Sequence, residues 1–252
     1  MTGRPQRYED FVWLFDAWQQ KRLKEGTPQR PVDFYRKWAE SVDGPALEVG
    51  AGVGRIYLEL LADDVDVHGI DLSADMLERL REKAAARGLD PSVRVADVTD
   101  FEPEREYGLV YMARSFKYLS TLSDQRAALR NVHDALAPDG LLVLDSKVPC
   151  FDVIAESTEP QEDTFEIDGV PHRVVTYLDI QDEVEQVACW HLEGYREGEL
   201  LAEHEVPIAM TPKRQFELLF GDAGFEEWTA YGDYDGTPLG PSDTEMAWVV
   251  QP

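Results

Sequence analysis

The sequence predicts an α/β fold built on a parallel sheet. Three observations carry that expectation. Short apolar strands alternate with amphipathic helices between residues 45 and 148, a glycine-rich turn joins the first strand to its helix, and 252 residues suffice for one large domain carrying an insert. Alternation of this kind means βαβ units with right-handed crossovers.

Each element follows from its own pattern. Between residues 6 and 24, Phe11, Leu14, Phe15, Trp18 and Leu23 recur at helical spacing, and Gly26-Thr27-Pro28 ends the run. A second helix is expected after Pro31, with Phe34, Tyr35 and Trp38 on one face. Pro45–Val49 reads as a buried strand, followed by the glycine turn and a helix. Val65–Ile70 is the second strand. Ser73 is suited to cap a helix running through Met76, Leu77 and Leu80 to about Arg87. Val93–Ala96 and Tyr107–Met112 are the third and fourth strands. A helix over Asp124–Leu136 leads through a Pro138-Asp139-Gly140 turn into a fifth strand, Leu141–Leu144.

After Pro149 the rhythm changes. Arg173–Ile180, Val184–Leu192 and Leu200–Met210 are β-rich runs between Asp/Glu/Gly turns, the mark of an antiparallel meander. Pro212 opens a helix through Phe216, Leu219 and Phe220 that Gly224 closes, and strands Glu226–Tyr231 and Met246–Val250 finish the chain. The organisation expected is N-terminal helices over residues 1–44, an α/β core over 45–149 and 211–252, and an inserted β region over 150–210.

Composition limits the partners. With 43% hydrophobic residues the chain can bury a substantial core. No apolar run approaches the roughly 20 residues that span a bilayer, and the first ten residues lack a secretory apolar stretch. Two cysteines, Cys150 and Cys189, are too few for a disulfide framework and are expected to be reduced. These features predict a soluble cytoplasmic protein without a membrane partner. The 50 Asp and Glu against 24 Lys and Arg give a net charge of −26, which repels phosphate backbones and weighs against nucleic acid. Such acidity fits either a protein working at high salt, where screening relieves self-repulsion, or an acidic protein of an ordinary cytoplasm.

The segment richest in chemistry is Leu47-Glu48-Val49-Gly50-Ala51-Gly52-Val53-Gly54-Arg55. Glycines at a strand-to-helix turn let backbone approach a ligand, and the helix start offers free N–H groups. A dinucleotide fold places its third glycine where Arg55 stands, and a phosphate loop ends in Gly-Lys-Ser/Thr; neither pattern is present. Asp71, ending the second strand, can accept both hydrogen bonds of a ribose diol. Asp97, ending the third, can accept from an adenine amino group. Leu72 and Met76 can wall the purine, and Glu48 can anchor an ammonium group. A ligand with adenine, ribose and an amino-acid tail but no phosphate answers to all of them: S-adenosylmethionine.

Here the chain resembles the class I S-adenosylmethionine-dependent methyltransferases of small-molecule type. Glu48-Val49-Gly50-Ala51-Gly52-Val53-Gly54 is similar to their first motif, Gly69–Leu77 to the second and Ala96-Asp97-Val98 to the third. Leu136-Ala137-Pro138-Asp139-Gly140-Leu141-Leu142 is similar to their turn before the fifth strand, with Asp139 in place of a glycine. The resemblance covers roughly residues 30–148 and 212–252. It implies a doubly wound, Rossmann-like sheet of seven strands in the order 3-2-1-4-5-7-6, strand seven antiparallel. It also implies cofactor contacts from Glu48, Gly50, Ala51, Gly52, Gly54, Asp71, Leu72, Met76, Asp97, Val98 and Ala113.

The residues after strand four, Ala113–Leu119, are expected at the carboxyl edge of the sheet, where open α/β folds bind ligands. Tyr118 is the candidate beside the transferred methyl, or else an ordinary half-buried aromatic. Tyr8, Phe15 and Trp18 of the first helix are either a lid over the cofactor or core. His172, His191 and His204 have no spacing that argues for a metal, so none is expected. The expected activity is methyl transfer to a small-molecule nitrogen or oxygen. A tRNA or rRNA methyltransferase, a non-catalytic nucleotide-binding module and a dinucleotide oxidoreductase are the alternatives. Open edges of the meander allow either a monomer or a homodimer paired through the insert.

Overall fold

The computed structural model describes residues 8–24 and 30–252. The chain forms two compact units. One comprises residues 30–149 and 209–252, the other residues 8–24 and 150–208.

The larger unit is a seven-stranded sheet. In chain order its elements are α2 (Arg30–Ala39), β1 (Ala46–Val49), α3 (Tyr57–Ala62), β2 (Val67–Asp71), α4 (Ala74–Ala86), β3 (Ser92–Val95), β4 (Tyr107–Ala113), α5 (Leu122–Ala135) and β5 (Leu136–Lys147). α7 (Lys213–Ala223), β10 (Glu227–Tyr231) and β11 (Glu245–Gln251) complete it. Strands run β10-β11-β5-β4-β1-β2-β3 across the sheet. β1 is parallel to β2 and β4, and β5 to β4, while β11 is antiparallel to both β5 and β10. This is the order implied by the family resemblance.

Strand alternation divides the core in two. On β4, Leu109 and Tyr111 face a cluster with Tyr35, Tyr57, Leu58 and Leu77, whereas Val110 and Met112 face one with Phe216, Phe220, Leu129 and Trp248. Helices therefore cover both faces, as continuous apolar strands require. The expected caps are in place. The Ser73 hydroxyl accepts from Met76 N–H at the start of α4, and Gly224 ends α7 with φ +105°. The order in which strands are added reverses between β1 and β4, which stay parallel, so the crevice of the sheet opens there.

Pro138-Asp139-Gly140, expected as a turn, lies inside β5 instead. Leu136 already pairs with Tyr107 and Leu141 with Leu109, so the intervening residues bulge out of the ladder.

The smaller unit holds α1 (Tyr8–Lys24), α6 (Phe151–Thr158), β6 (Gln161–Ile167), β7 (Val170–Asp182), β8 (Val187–Arg196) and β9 (Glu199–Ala209). Its strands form one sheet in sequence order. The meander therefore has four strands where sequence periodicity marks three. β6 alternates acids with Phe165 and Ile167 and is mostly exposed, which masks it. α6 is a short helix with no buried residue, and the sequence expectations did not include it. α1 lies on the sheet: Trp18 Nε1 donates to Asp163 at 2.8 Å, and Gly194 lets Leu14 approach where any Cβ would collide. Phe11, Leu14 and Trp18 are buried there and Phe15 partly so. The expected helix stop at Gly26-Thr27-Pro28, residues 6 and 7, and the side chains of Tyr8 and Leu23 lie outside the described residues.

Candidate cofactor site at the carboxyl edge of the sheet

As the chain leaves β1 it folds back over β2. The N–H groups of Gly50 and Ala51 both donate to the Ile70 carbonyl, at 2.8 and 3.1 Å. The glycines then divide by role. Gly50 has φ +78°, and a Cβ there would lie 2.5 Å from the Ser115 Cβ; Gly54 is boxed in by Leu58 and Leu80. Gly52 has φ +52° and meets nothing within 4 Å among the described residues. Packing thus requires Gly50 and Gly54, while Gly52 leaves open space that a ligand can fill. Lys83, from α4, braces the turn by donating to the Val53 carbonyl at 2.7 Å.

Asp71 closes this turn. Its Oδ2 accepts from Gly52 N–H and its Oδ1 from Ser73 N–H, each at 2.8 Å. Burial pushes its carboxyl above the usual carboxylate range, and the two N–H donors oppose that push. Both partners are backbone groups, so each oxygen keeps a lone pair for a ligand hydroxyl. Leu72, next along, is 70% exposed, and Met76 is partly buried in the first turn of α4.

Asp97 and Val98 follow β3. Asp97 Oδ1 accepts from both the N–H and the hydroxyl of Thr99, at 2.9 and 2.8 Å, which fixes its rotamer; Val98 is buried. Glu48, in β1, is only 2% exposed and accepts from the Tyr111 hydroxyl at 3.0 Å. Burial raises its carboxyl to about 8, against the pull of Tyr111 and of Arg55.

Beyond β4, the Ser115 hydroxyl donates to the Val49 carbonyl at 2.5 Å, tying this loop to the glycine turn. Ala113 is partly buried at the end of β4. Tyr118 ends a short 3₁₀ turn, Phe116–Tyr118, and is 43% exposed, with Lys117 Nζ 5.0 Å from its ring centre. Burial and then Arg114 lower the Lys117 ammonium to about 8.

A second carboxylate cluster, absent from the sequence expectations, lies at the end of β5. Asp145 is 2% exposed and accepts from Tyr35 OH, from Tyr234 OH at 2.7 Å and from Arg114 N–H at 3.0 Å. The Arg114 guanidinium pairs with Asp145 at 2.5 Å, with Glu245 at 2.5 Å and with Tyr234 OH at 3.0 Å. Burial alone would lower the Arg114 pKa; the acids and tyrosine around it more than reverse that. Arg114 holds this position with φ +63°, a left-handed backbone that a non-glycine residue adopts at a cost. The signal available was an acid ending an otherwise apolar strand, Leu141-Leu142-Val143-Leu144-Asp145.

A glycine turn after β1, acids after β2 and β3, and a polar cluster after β4 and β5 lie along the carboxyl edge of the sheet, where open α/β folds bind ligands. Residues 46–140 match the profile of the methyltransferase domain family. The provisionally named methyltransferase YqeM of Bacillus subtilis (strain 168) is 29% identical over 165 residues, 62% of this chain and 62% of that protein. The chain thus spans about three fifths of that relative. The glycine/sarcosine N-methyltransferase of Aphanothece halophytica is 25% identical over 91% of this chain and 83% of its own length. A solved S-adenosylmethionine-dependent methyltransferase of Clostridium acetobutylicum ATCC 824 shares the fold, with a TM-score of 0.77, 16% identity, and coverage of 95% of this chain and 98% of that one. Residues 46–140 are thus similar to a methyltransferase domain, and the α/β core shares the fold of solved S-adenosylmethionine-dependent methyltransferases.

Proposed function

We propose that the protein transfers the methyl group of S-adenosylmethionine to a small molecule, with nitrogen favoured over oxygen as the acceptor atom. The observation that carries this reading is the pairing of Gly52 with Asp71. The one glycine of the turn that faces open space has its N–H bound to the carboxylate that ends β2. A phosphate-bearing cofactor would meet that carboxylate; a ribose diol is suited to it.

The residues present fit S-adenosylmethionine. Asp71 would accept from the ribose hydroxyls, its oxygens held by Gly52 and Ser73. The exposed Leu72 side chain and Met76 would wall the adenine, with Asp97 and Val98 at its amino edge. Glu48 would pair with the ammonium group, while Gly50, Ala51, Gly54 and Ala113 supply backbone to the amino-acid portion. The cofactor supplies an activated methyl on a sulfonium, so the chain's share is to bind, orient and exclude water. Tyr118 offers an aromatic face at the acceptor side, suited to cationic sulfur. An amine loses its proton to water before it binds, so the site needs no strong base. The Asp145–Arg114 cluster keeps the β4–β5 end rigid and polar for such an acceptor.

Nitrogen is favoured because the relative from Aphanothece halophytica is a glycine/sarcosine N-methyltransferase. The net charge of −26 weighs against nucleic acid. Among the described residues no helix is long and apolar enough to cross a membrane. The test is transfer of a labelled methyl group to a panel of small amines, alcohols, carboxylates and RNA. Label on a small amine is expected. Label on RNA alone, or none on any acceptor class, would refute the proposal.

A further inference from the structure

The four-stranded sheet has one face covered by α1, where Phe11 meets His204 at 4.2 Å, Trp13 meets His172 at 5.5 Å and Trp18 meets Trp190 at 6.5 Å. One step along each strand, side chains point to the other face. There β8 presents Cys189 and His191, two residues apart, and Glu205 reaches them from β9. One donor atom from each lies within 4.8 Å of the other two.

Two of the three have features that an ordinary surface cluster lacks. Cys189 is a free thiol only 4% exposed. His191 has Nδ1 3.2 Å from a Glu205 oxygen, and its Nε2 is buried without a hydrogen-bond partner among the described residues. Its ring lies flat on Tyr177, 4.5 Å between centres and 4° between planes, which fixes its orientation. Charge points the same way. Residues 150–208 contain sixteen Asp and Glu but, as cations, only Arg173 and Arg196. Uncompensated acids of this density concentrate divalent cations near the surface.

We propose that Cys189, His191 and Glu205 form a three-ligand site for a zinc-like divalent cation. A thiolate, an imidazole and a carboxylate are the donor set that such a borderline-soft ion prefers, with water completing the tetrahedron. Binding would displace the thiol proton to solvent and hold β9, the last strand of the sheet, against β8. Sequence spacing of the three histidines gave no hint of this site. His172 and His204 lie on the α1 side, and two of the three ligands are not histidine.

The experiment uses the full chain, stripped with chelator, reloaded with Zn²⁺ or Co²⁺ and dialysed. One retained equivalent is expected, with a near-ultraviolet thiolate-to-cobalt charge-transfer band. Cys189→Ser should abolish the band and Cys150→Ser should keep it. Because Cys189 is buried, the exposed Glu205→Gln serves as a second variant, expected to fold normally and bind at least about tenfold more weakly. Metal lost on dialysis, a cobalt spectrum without the thiolate band, or unchanged affinity in Glu205→Gln would each overturn the site.

Discussion

Two carboxylates at the same sheet edge, Asp71 half-buried and Asp145 buried, are held in opposite ways. Asp71, after β2, is gripped by backbone N–H groups of Gly52 and Ser73, whereas Asp145, after β5, is gripped by the side chains of Tyr35, Tyr234 and Arg114 along with Arg114 N–H. A carboxylate held by two N–H groups keeps lone pairs for a ligand. One encircled by two phenols and a guanidinium has spent them on the protein. The difference separates a ligand grip from an internal brace, and substitutions at the two should fail differently.

Asp145→Ala is expected to show the largest effect, a loss of about 3–5 kcal/mol in denaturant unfolding, because it strands the half-buried Arg114 charge and two phenols. Asp71→Ala should cost far less stability yet weaken cofactor binding at least about a hundredfold; equal stability losses would erase the distinction.

Glu48 sharpens the same contrast through pH. Its carboxyl titrates near 8 in the fold against an ordinary value of 4.5, since burial disfavours its charge. The fold therefore holds that proton more tightly than the unfolded chain. The stability it contributes is complete below about 4.5 and is lost as pH rises through about 8. Glu48→Gln should flatten the stability profile across that window by up to about 5 kcal/mol. A slope identical to that of the unaltered chain would place the titration elsewhere.

Within the turn, Gly50→Ala should cost about 2 kcal/mol or more from its clash with Ser115, while Gly52→Ala should cost about 1 kcal/mol of backbone strain yet weaken cofactor binding at least about tenfold. If Gly52→Ala binds normally, the open space beside it is not the ligand's.

The smallest effect is global. Moving from dilute buffer to molar salt should raise Tm by about 2–4 °C, the equivalent of about 1 kcal/mol, by screening the charge of −26. A midpoint independent of salt would count against life at high salt.

How much of this the sequence revealed follows from the range of the interactions. The α/β core and its glycine turn were legible because strand–turn–helix chemistry is local. Gly50, Gly52, Gly54 and Asp71 lie within 22 consecutive residues, and Ser73 caps α4 as expected. The Asp145 cluster was not, since residues 35, 114, 145, 234 and 245 meet only after the sheet assembles. β6 escaped because acids occupy its exposed positions, and the Pro138–Gly140 bulge because a ladder irregularity depends on its partner strand.

Calorimetric titration of the full chain and of Asp71→Ala with S-adenosylhomocysteine tests the grip on the nucleoside most directly. One site in the unaltered chain, with affinity at least about a hundredfold weaker in a still-folded Asp71→Ala, is the result predicted, at roughly 1.5–3 kcal/mol for each of two charge-assisted hydrogen bonds. Equal affinity in the two proteins, or no heat from either at millimolar ligand, would contradict it.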